Sequence, residues 1–254
     1  MADLFWPIKA QIRRIAPLFP LSHGVPRVDD QRVVSGILHV IRNGLRWRDA
    51  PAAYGPHKTL YNRFVRWSRL GVFNRIFAGL VGRAGEPERL MIDATHLKAH
   101  RTAASLLKKG MFPRRIGRTK GGLNSKLHAV CDGKGRPVIL LLSEGQMSDH
   151  KGAALMLPRL PRAKEPLGDR GYDSNRFREA LVERGIKPCI PSSKSRKVPL
   201  PYDKALYRQR HRIENMFGRL KDWRRVAMRY DRCAHTFMSA ICLAAAVLFW
   251  INES

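Results

Sequence analysis

The feature that most limits what this 254-residue chain can fold into is a change in the spacing of its apolar residues near residue 84. Before that point they recur at helical intervals. Residues 29–43 place Val33, Val34, Ile37, Leu38 and Ile41 on one face, with Asp29 or Asp30 ready to cap the first turn and Gly44 just past the last. Residues 59–70 repeat the pattern with Leu60, Tyr61, Phe64, Val65 and Trp67 and stop at Gly71, and residues 72–81 supply a third short helix. Gly82, Gly85 and Pro87 then punctuate the chain. Beyond them the apolar runs are short and bounded by turn residues. Strands are predicted at 89–94, 126–132 and 137–143, the last two forming a hairpin across Gly133-Lys134-Gly135. A helix at 149–157, a short strand ending at Asp169, a helix at 174–184 and a strand at 186–190 follow. A basic link at 194–201 then leads into a long helix at 202–221 and a final C-terminal helix.

This order predicts an α/β chain: a small all-helical domain over 1–83, then a mixed sheet covered by helices over 84–254. A ribonuclease-H-like layout fits the second part. The charge fits neither an ordinary soluble surface nor a disordered tail. The formal net charge is +28, with 14 Lys plus Arg against 4 Asp plus Glu in residues 1–83 and 34 against 16 in the rest. Basic residues are interleaved with apolar ones throughout, so the charge belongs to folded surface and the expected partner is a polyanion. Composition alone leaves DNA, RNA, ribosome assembly and an anionic membrane open.

Cys131, Cys189, Cys233 and Cys242 show no Cys-x-x-Cys spacing, so reduced thiols in a cytoplasmic protein are expected. No charged-then-apolar leader opens the chain. Residues 237–251 carry no charge, but the stretch is shorter than the roughly 20 residues a membrane span needs. A buried core helix is expected there, and no membrane partner.

Three carboxylates stand out. Asp93 ends the apolar run Leu90-Met91-Ile92, where a charge cannot serve a hydrophobic core. Asp169 likewise ends a short strand, whereas Asp173, next to Ser174, reads as a helix cap. Each alone is weak, since a strand-ending Asp commonly caps a turn. Glu214 is more informative. At about 100° per residue, Tyr207, Arg210, Glu214 and Lys221 fall in one stripe roughly 60° wide, beside the apolar face of Leu206, Ile213, Met216, Phe217 and Leu220. A solvated face with ion pairs is the plain alternative.

The spacing Tyr207-x2-Arg210-x3-Glu214-x6-Lys221 resembles the Tyr-Arg-Glu-Lys signature around the last acidic residue of bacterial insertion-sequence transposases, in the insertion sequence 4 and 5 families. Asp93 in Ile-Asp-Ala-Thr and Asp169 in Gly-Asp-Arg-Gly-Tyr-Asp-Ser are similar to the other two acidic motifs of that group. Trp47-Arg48-Asp49-Ala50-Pro51, Tyr54-Gly55-Pro56 and Tyr61-Asn62-Arg63-Phe64 are similar to its helical N-terminal region, so the likeness spans nearly the whole chain. Gly168 departs from it, standing where a somewhat larger residue is expected.

The resemblance implies a DDE transposase that binds terminal inverted repeats and catalyses cleavage and strand transfer. Two Mg²⁺ ions, with Mn²⁺ able to substitute, would be held by Asp93 bridging both and by Asp169 and Glu214 completing one each. Tyr207, Arg210 and Lys221 are expected to contact DNA near the metals. Arg63, Arg66 and Arg69, in a helix-turn-helix-like N-terminal unit, are expected to read the repeats. The basic stretch 98–120, which holds no acidic residue, is expected to touch phosphates generally. Double-stranded DNA, a homodimer on DNA and a nucleoid-associated place in the cytoplasm complete the expectation. The rival reading is a catalytically inactive DNA-binding protein derived from such an enzyme. His96 and His100 lack a third ligand for zinc. Asp132, Glu144, Asp149 and His150 rank below the three carboxylates as site residues, with Ser148 or Asp149 read as a helix cap.

Overall fold

A computed structural model describes residues 4–21, 27, 29–105 and 113–251. In chain order its elements are helices α1 (Lys9–Ile15), α2 (Asp30–Asn43), α3 (His57–Arg69) and α4 (Val72–Val81), strand β1 (Arg89–Ala99) and helix α5 (Arg101–Ala104). Strands β2 (Gly117–Thr119), β3 (Gly122–Asp132) and β4 (Pro137–Glu144) follow, then helix α6 (Asp149–Met156), strand β5 (Glu165–Gly168) and helix α7 (Asn175–Val182). The chain ends with helices α8 (Lys204–Tyr207), α9 (His211–Lys221) and α10 (Arg224–Ala227), strand β6 (Met228–Arg229) and helix α11 (Ala234–Ala245).

The chain divides into two compact units, and a single cut at 83/84 does not describe them. One unit comprises residues 1–83, 99–114 and 220–254; the other comprises 84–98 and 115–219. The helical unit is built around α11. That helix is apolar on every side because every side is covered: Phe237, Ala240, Ile241 and Ala244 are fully buried, and α2, α3 and α4 pack against it. The uncharged C-terminal stretch is therefore a core helix, as its length predicted. Among the described residues no helix is long and apolar enough to cross a membrane.

Asp29 caps α2 by accepting from the N–H groups of Gln31 and Arg32, and Gly44, at φ 68°, ends it in the left-handed region that favours glycine. Arg229, also fully buried, donates to the carbonyls of Arg114, Asp231 and Arg232 and lies over the Phe237 ring. This ties the segment after β1 to the core helix. Part of the basic stretch, including Lys108 and Lys109, lies outside the described residues.

In the sheet unit β1 pairs antiparallel with β3, β3 antiparallel with β4, and β1 parallel with β5. Short β2 extends the start of β3. The resulting order β4-β3-β1-β5, with the first three strands antiparallel and the next one parallel, is the ribonuclease-H-like arrangement predicted from the element order. The hairpin turn is held by Asp132, whose carboxylate accepts the N–H groups of Lys134 and Arg136. Helices α6 and α7 cover one face, burying Leu90, Ile92, Val130, Met156, Phe177 and Leu181 together.

Several predicted elements change. The first strand runs on to Ala99, so Asp93 lies within β1 rather than at its end, and β3 begins at Gly122 rather than at 126. The strand at 186–190 shrinks to one parallel bridge, Leu167 to Cys189, although Lys187 and Cys189 still donate to the Lys164 and Pro166 carbonyls alongside β5. The single helix at 202–221 is split, since α8 stops at Tyr207 and a tight 3₁₀ turn at Arg208–Arg210 precedes α9. His211 stabilises that break by bonding the Arg208 carbonyl through Nδ1 at 2.8 Å.

Helices α2 and α3 approach closely at Gly36, where an added Cβ would stand 2.7 Å from Tyr54 Cβ and 2.8 Å from Leu60 Cδ1. Gly36→Ala is therefore expected to lower stability by about 1 to 3 kcal/mol through overpacking, despite the better helix propensity of Ala. Denaturant unfolding checks this, and an unchanged midpoint would contradict it.

Candidate active site

Alternation along β1 sets the position of the first carboxylate. Leu90 and Ile92 belong to the core shared with Val130, so Asp93 points to the opposite face of the sheet. Arg210 reaches it there. Asp93 Oδ2 accepts a hydrogen bond from Arg210 Nη1 at 2.8 Å, and Arg210 Nη2 donates to Glu214 Oε1 at 2.6 Å. One guanidinium thus bridges two of the three carboxylates singled out by the sequence. The other oxygen of Asp93 accepts the Ala94 N–H at 2.8 Å.

Strand pairing brings in the third carboxylate. The parallel register sets Ile92 opposite Gly168, so Asp93, within β1, and Asp169, just past the end of β5, stand at the same level on neighbouring strands. Asp169 Oδ1 accepts the Gly171 N–H at 2.8 Å, capping the tight turn Arg170–Tyr172. Burial pushes the Asp93 carboxyl above its ordinary range; the Ala94 N–H and Arg210 oppose the rise, and the Asp169 charge adds to it. Burial alone would lower the Arg210 pKa, but Asp93 and Glu214 outweigh it and hold the guanidinium firmly charged. The side chains of Asp93 and Arg210 are 18% and 17% exposed against 55% for Glu214, so Glu214 is the member free to rearrange. Gly168 also finds its reason here: a Cβ would press on Ile92 Cγ2 at 3.1 Å, where β5 lies against β1.

The start of α9 is lashed to the sheet by contacts that no sequence pattern announced. Arg89 donates to Gln209 at 3.3 Å and to Glu165 at 3.2 Å, and Arg212 donates to the Gly133 carbonyl. Tyr207, at the end of α8, packs edge-on against Tyr202 and lies close enough for its phenol to interact with Arg210. The intervening 3₁₀ turn advances about 120° per residue instead of 100°, so Tyr207 and Arg210, three residues apart, lie one above the other, and Arg210 and Glu214 remain one turn apart. Lys221 closes α9, where burial lowers its ammonium pKa.

In the helical unit Arg63 is occupied structurally, paired with Asp30 and lying over the Trp67 ring at 5.0 Å, while Arg66 and Arg69 are exposed. Of the three arginines expected to read the repeats, two are exposed. His96 bonds the Gly145 carbonyl, His100 caps α5 through Thr102, and Glu144 pairs with Arg115.

A buried polar group on the α6 face was also missed. Asp149 pairs with Lys126 at 2.9 Å while Ser148 caps α6, and His128 bonds Ser143 Oγ at 2.9 Å beneath Gly152. Burial drives the His128 pKa down to about 4, so its ring is neutral at physiological pH. Only the position of His128 among Leu127, Ala129 and Val130 hinted at burial.

Asp173 does more than begin a helix. Ser174 caps α7, and the fully buried Asp173 carboxylate takes Arg178 at 2.7 Å, Arg196 at 2.8 Å and the Ser193 N–H at 2.7 Å. Burial would raise its pKa, but these three donors prevail and hold it well below the usual carboxylate range. Asp173→Asn is expected to destabilise the protein by about 3 kcal/mol, because two arginines lose a buried counter-charge. A depressed pKa means the contribution is complete above about pH 4 and disappears only as acid titrates the folded carboxylate. Thermal melts of both proteins at pH 7 and below pH 3 should show a gap that narrows in acid; a pH-independent gap would contradict it.

Comparison with known proteins places this geometry. The fold is of the ribonuclease-H-like class. Residues 84–249 match the family model "Transposase DDE domain", and residues 9–77 match "Putative transposase of IS4/5 family (DUF4096)". The chain belongs to the DDE transposase family. It is 31% identical over 132 residues to the "Putative transposase for insertion sequence element IS6501" of Brucella ovis, covering 51% of this chain and all of that one. It is 28% identical over 156 residues to the "Putative transposase for insertion sequence element IS402" of Burkholderia cepacia, covering 54% of this chain and 72% of that one. Among solved structures, the piggyBac transposase synaptic complex with hairpin DNA aligns with a TM-score of 0.51 at 10% identity, covering 94% of this chain and 69% of that one. That likeness concerns the fold.

Proposed function

We propose that this transposase binds the terminal inverted repeats of an insertion sequence and carries out divalent-metal-dependent strand cleavage and strand transfer, with Asp93, Asp169 and Glu214 as metal ligands. The observation that carries the reading is the bridging of Asp93 and Glu214 by one cationic group, with Asp169 beside Asp93 on the paired strand. A site that already gathers a guanidinium between two carboxylates suits hard cations that prefer oxygen donors. Mg²⁺, or Mn²⁺ in its place, would supply activation of the attacking oxygen and stabilisation of the leaving one in each in-line displacement.

The protein's own part is positional. Asp93, fixed on a central strand, and Asp169, fixed by its capping bond to Gly171, form the rigid side of the site, and Glu214 closes it from α9. Arg210, Tyr207 and Lys221 are assigned to DNA phosphates near the carboxylates, and the helical N-terminal region, through Arg66, Arg69 and to a lesser degree Arg63, to the repeats. The net charge of +28 supports an affinity dominated by phosphate contacts. Pairing of two transposon ends calls for a homodimer on DNA, associated with the nucleoid.

The test is incubation of the purified protein with a labelled inverted-repeat duplex and Mg²⁺. Asp93→Asn, Asp169→Asn and Glu214→Gln are each expected to reduce nicking roughly a hundred-fold or more while still shifting the duplex on a gel. Wild-type protein that shifts the duplex without nicking it would favour the inactive, transposase-derived binder. Nicking undiminished in the variants would overturn the ligand assignment.

A further inference from the structure

We propose that Arg210 couples metal loading to DNA binding. In the free protein its guanidinium is the cation that holds Asp93 and Glu214 together, and a DNA phosphate that draws it away opens both carboxylates to divalent ions. The proposal rests on the assignment of Asp93, Asp169 and Glu214 as metal ligands.

The geometry points to an exchange. Arg210 spends one nitrogen on each carboxylate, Nη1 on Asp93 at 2.8 Å and Nη2 on Glu214 at 2.6 Å, so it competes for the oxygens a metal would need. Among the described residues no three His, Cys, Asp or Glu side chains yet stand close enough together to hold an ion. A divalent cation entering beside a fixed guanidinium meets both the occupied oxygens and a like charge a few ångströms away. A phosphodiester offers that planar guanidinium two non-bridging oxygens as a two-pronged partner.

The surroundings favour a switch made by Arg210 alone. Arg89 is held by Glu165 and Gln209, and Arg212 by the Gly133 carbonyl, so neither neighbour is free to replace it. Arg210 ends the short 3₁₀ turn ahead of α9, and the half-exposed Glu214 can follow once released, whereas Asp93 is fixed in the strand. Metal and DNA then stand on the same side of one equilibrium, and by linkage each must tighten the other by the same factor.

The experiment is a Mn²⁺ titration of the full-length protein, read by the electron paramagnetic resonance signal of free Mn²⁺. It is run alone, with a precleaved inverted-repeat end duplex, and with a scrambled duplex of equal length. Wild type is expected to bind Mn²⁺ about ten-fold more tightly with the end duplex than without it. Arg210→Gln should bind Mn²⁺ about ten-fold more tightly than wild type in the absence of DNA, and should lose most of the response to the duplex. Arg210→Lys keeps the charge but loses the fork and should fall between them, which preserves the test if the glutamine variant fails to fold. Unchanged or weaker Mn²⁺ binding by both variants without DNA, or a duplex response that survives in them, would overturn the coupling. Asp93→Asn separates the two readings: Mn²⁺ binding intact in that variant would sink the ligand assignment itself. Binding lost there without tightening in the Arg210 variants would sink only the exchange.

Discussion

The parallel pairing of β1 with β5 is the constraint on which the rest of the site depends. Setting Ile92 opposite Gly168 brings two aspartates side by side on neighbouring strands. Because side chains alternate, a slip of one residue in β1 would turn Asp93 into the core and expose Ile92, so the burial of Leu90 and Ile92 guards the register of the acidic centre. The small Gly168 lets the strands meet closely, and the capping bond to Gly171 fixes the Asp169 carboxylate where β5 ends.

Against that rigid pair the α9 side of the site is adjustable. Arg89 and Arg212 lash the helix start to the sheet, while Glu214, the most exposed of the three carboxylates, is held by a single guanidinium. A buried carboxylate crowded by a second one on the next strand is costly unless a cation compensates it. In the protein alone that cation is Arg210. The same demand for positive charge that makes the centre receptive to metal therefore also makes it hold its own arginine.

Much of this was legible in the sequence, and the rest fails for definite physical reasons. Asp93 and Glu214 could be singled out because one is a charge at the end of an apolar run and the other sits on a patterned helix edge. The element order carried the sheet topology. The break at Arg208–Arg210 was invisible because these residues are sound helix formers and the turn is imposed by tertiary contacts. The pairing of Arg63 with Asp30 joins two helices, and no local pattern encodes it. The same holds for Asp173 with Arg196, for Asp149 with Lys126, and for the joining of residues 220–254 to the N-terminal helices. Each depends on contacts between residues far apart in sequence.

Three carboxylates from distant parts of the chain must share divalent cations for the proposed chemistry. The most direct test is a crystal of the protein on an inverted-repeat end duplex, grown with Mn²⁺ and measured at a wavelength where manganese scatters anomalously. Anomalous peaks about 2.1 to 2.2 Å from oxygens of Asp93, Asp169 and Glu214 are the result the account requires. Manganese bound elsewhere, with those side chains apart from it in a DNA-loaded complex, would contradict it.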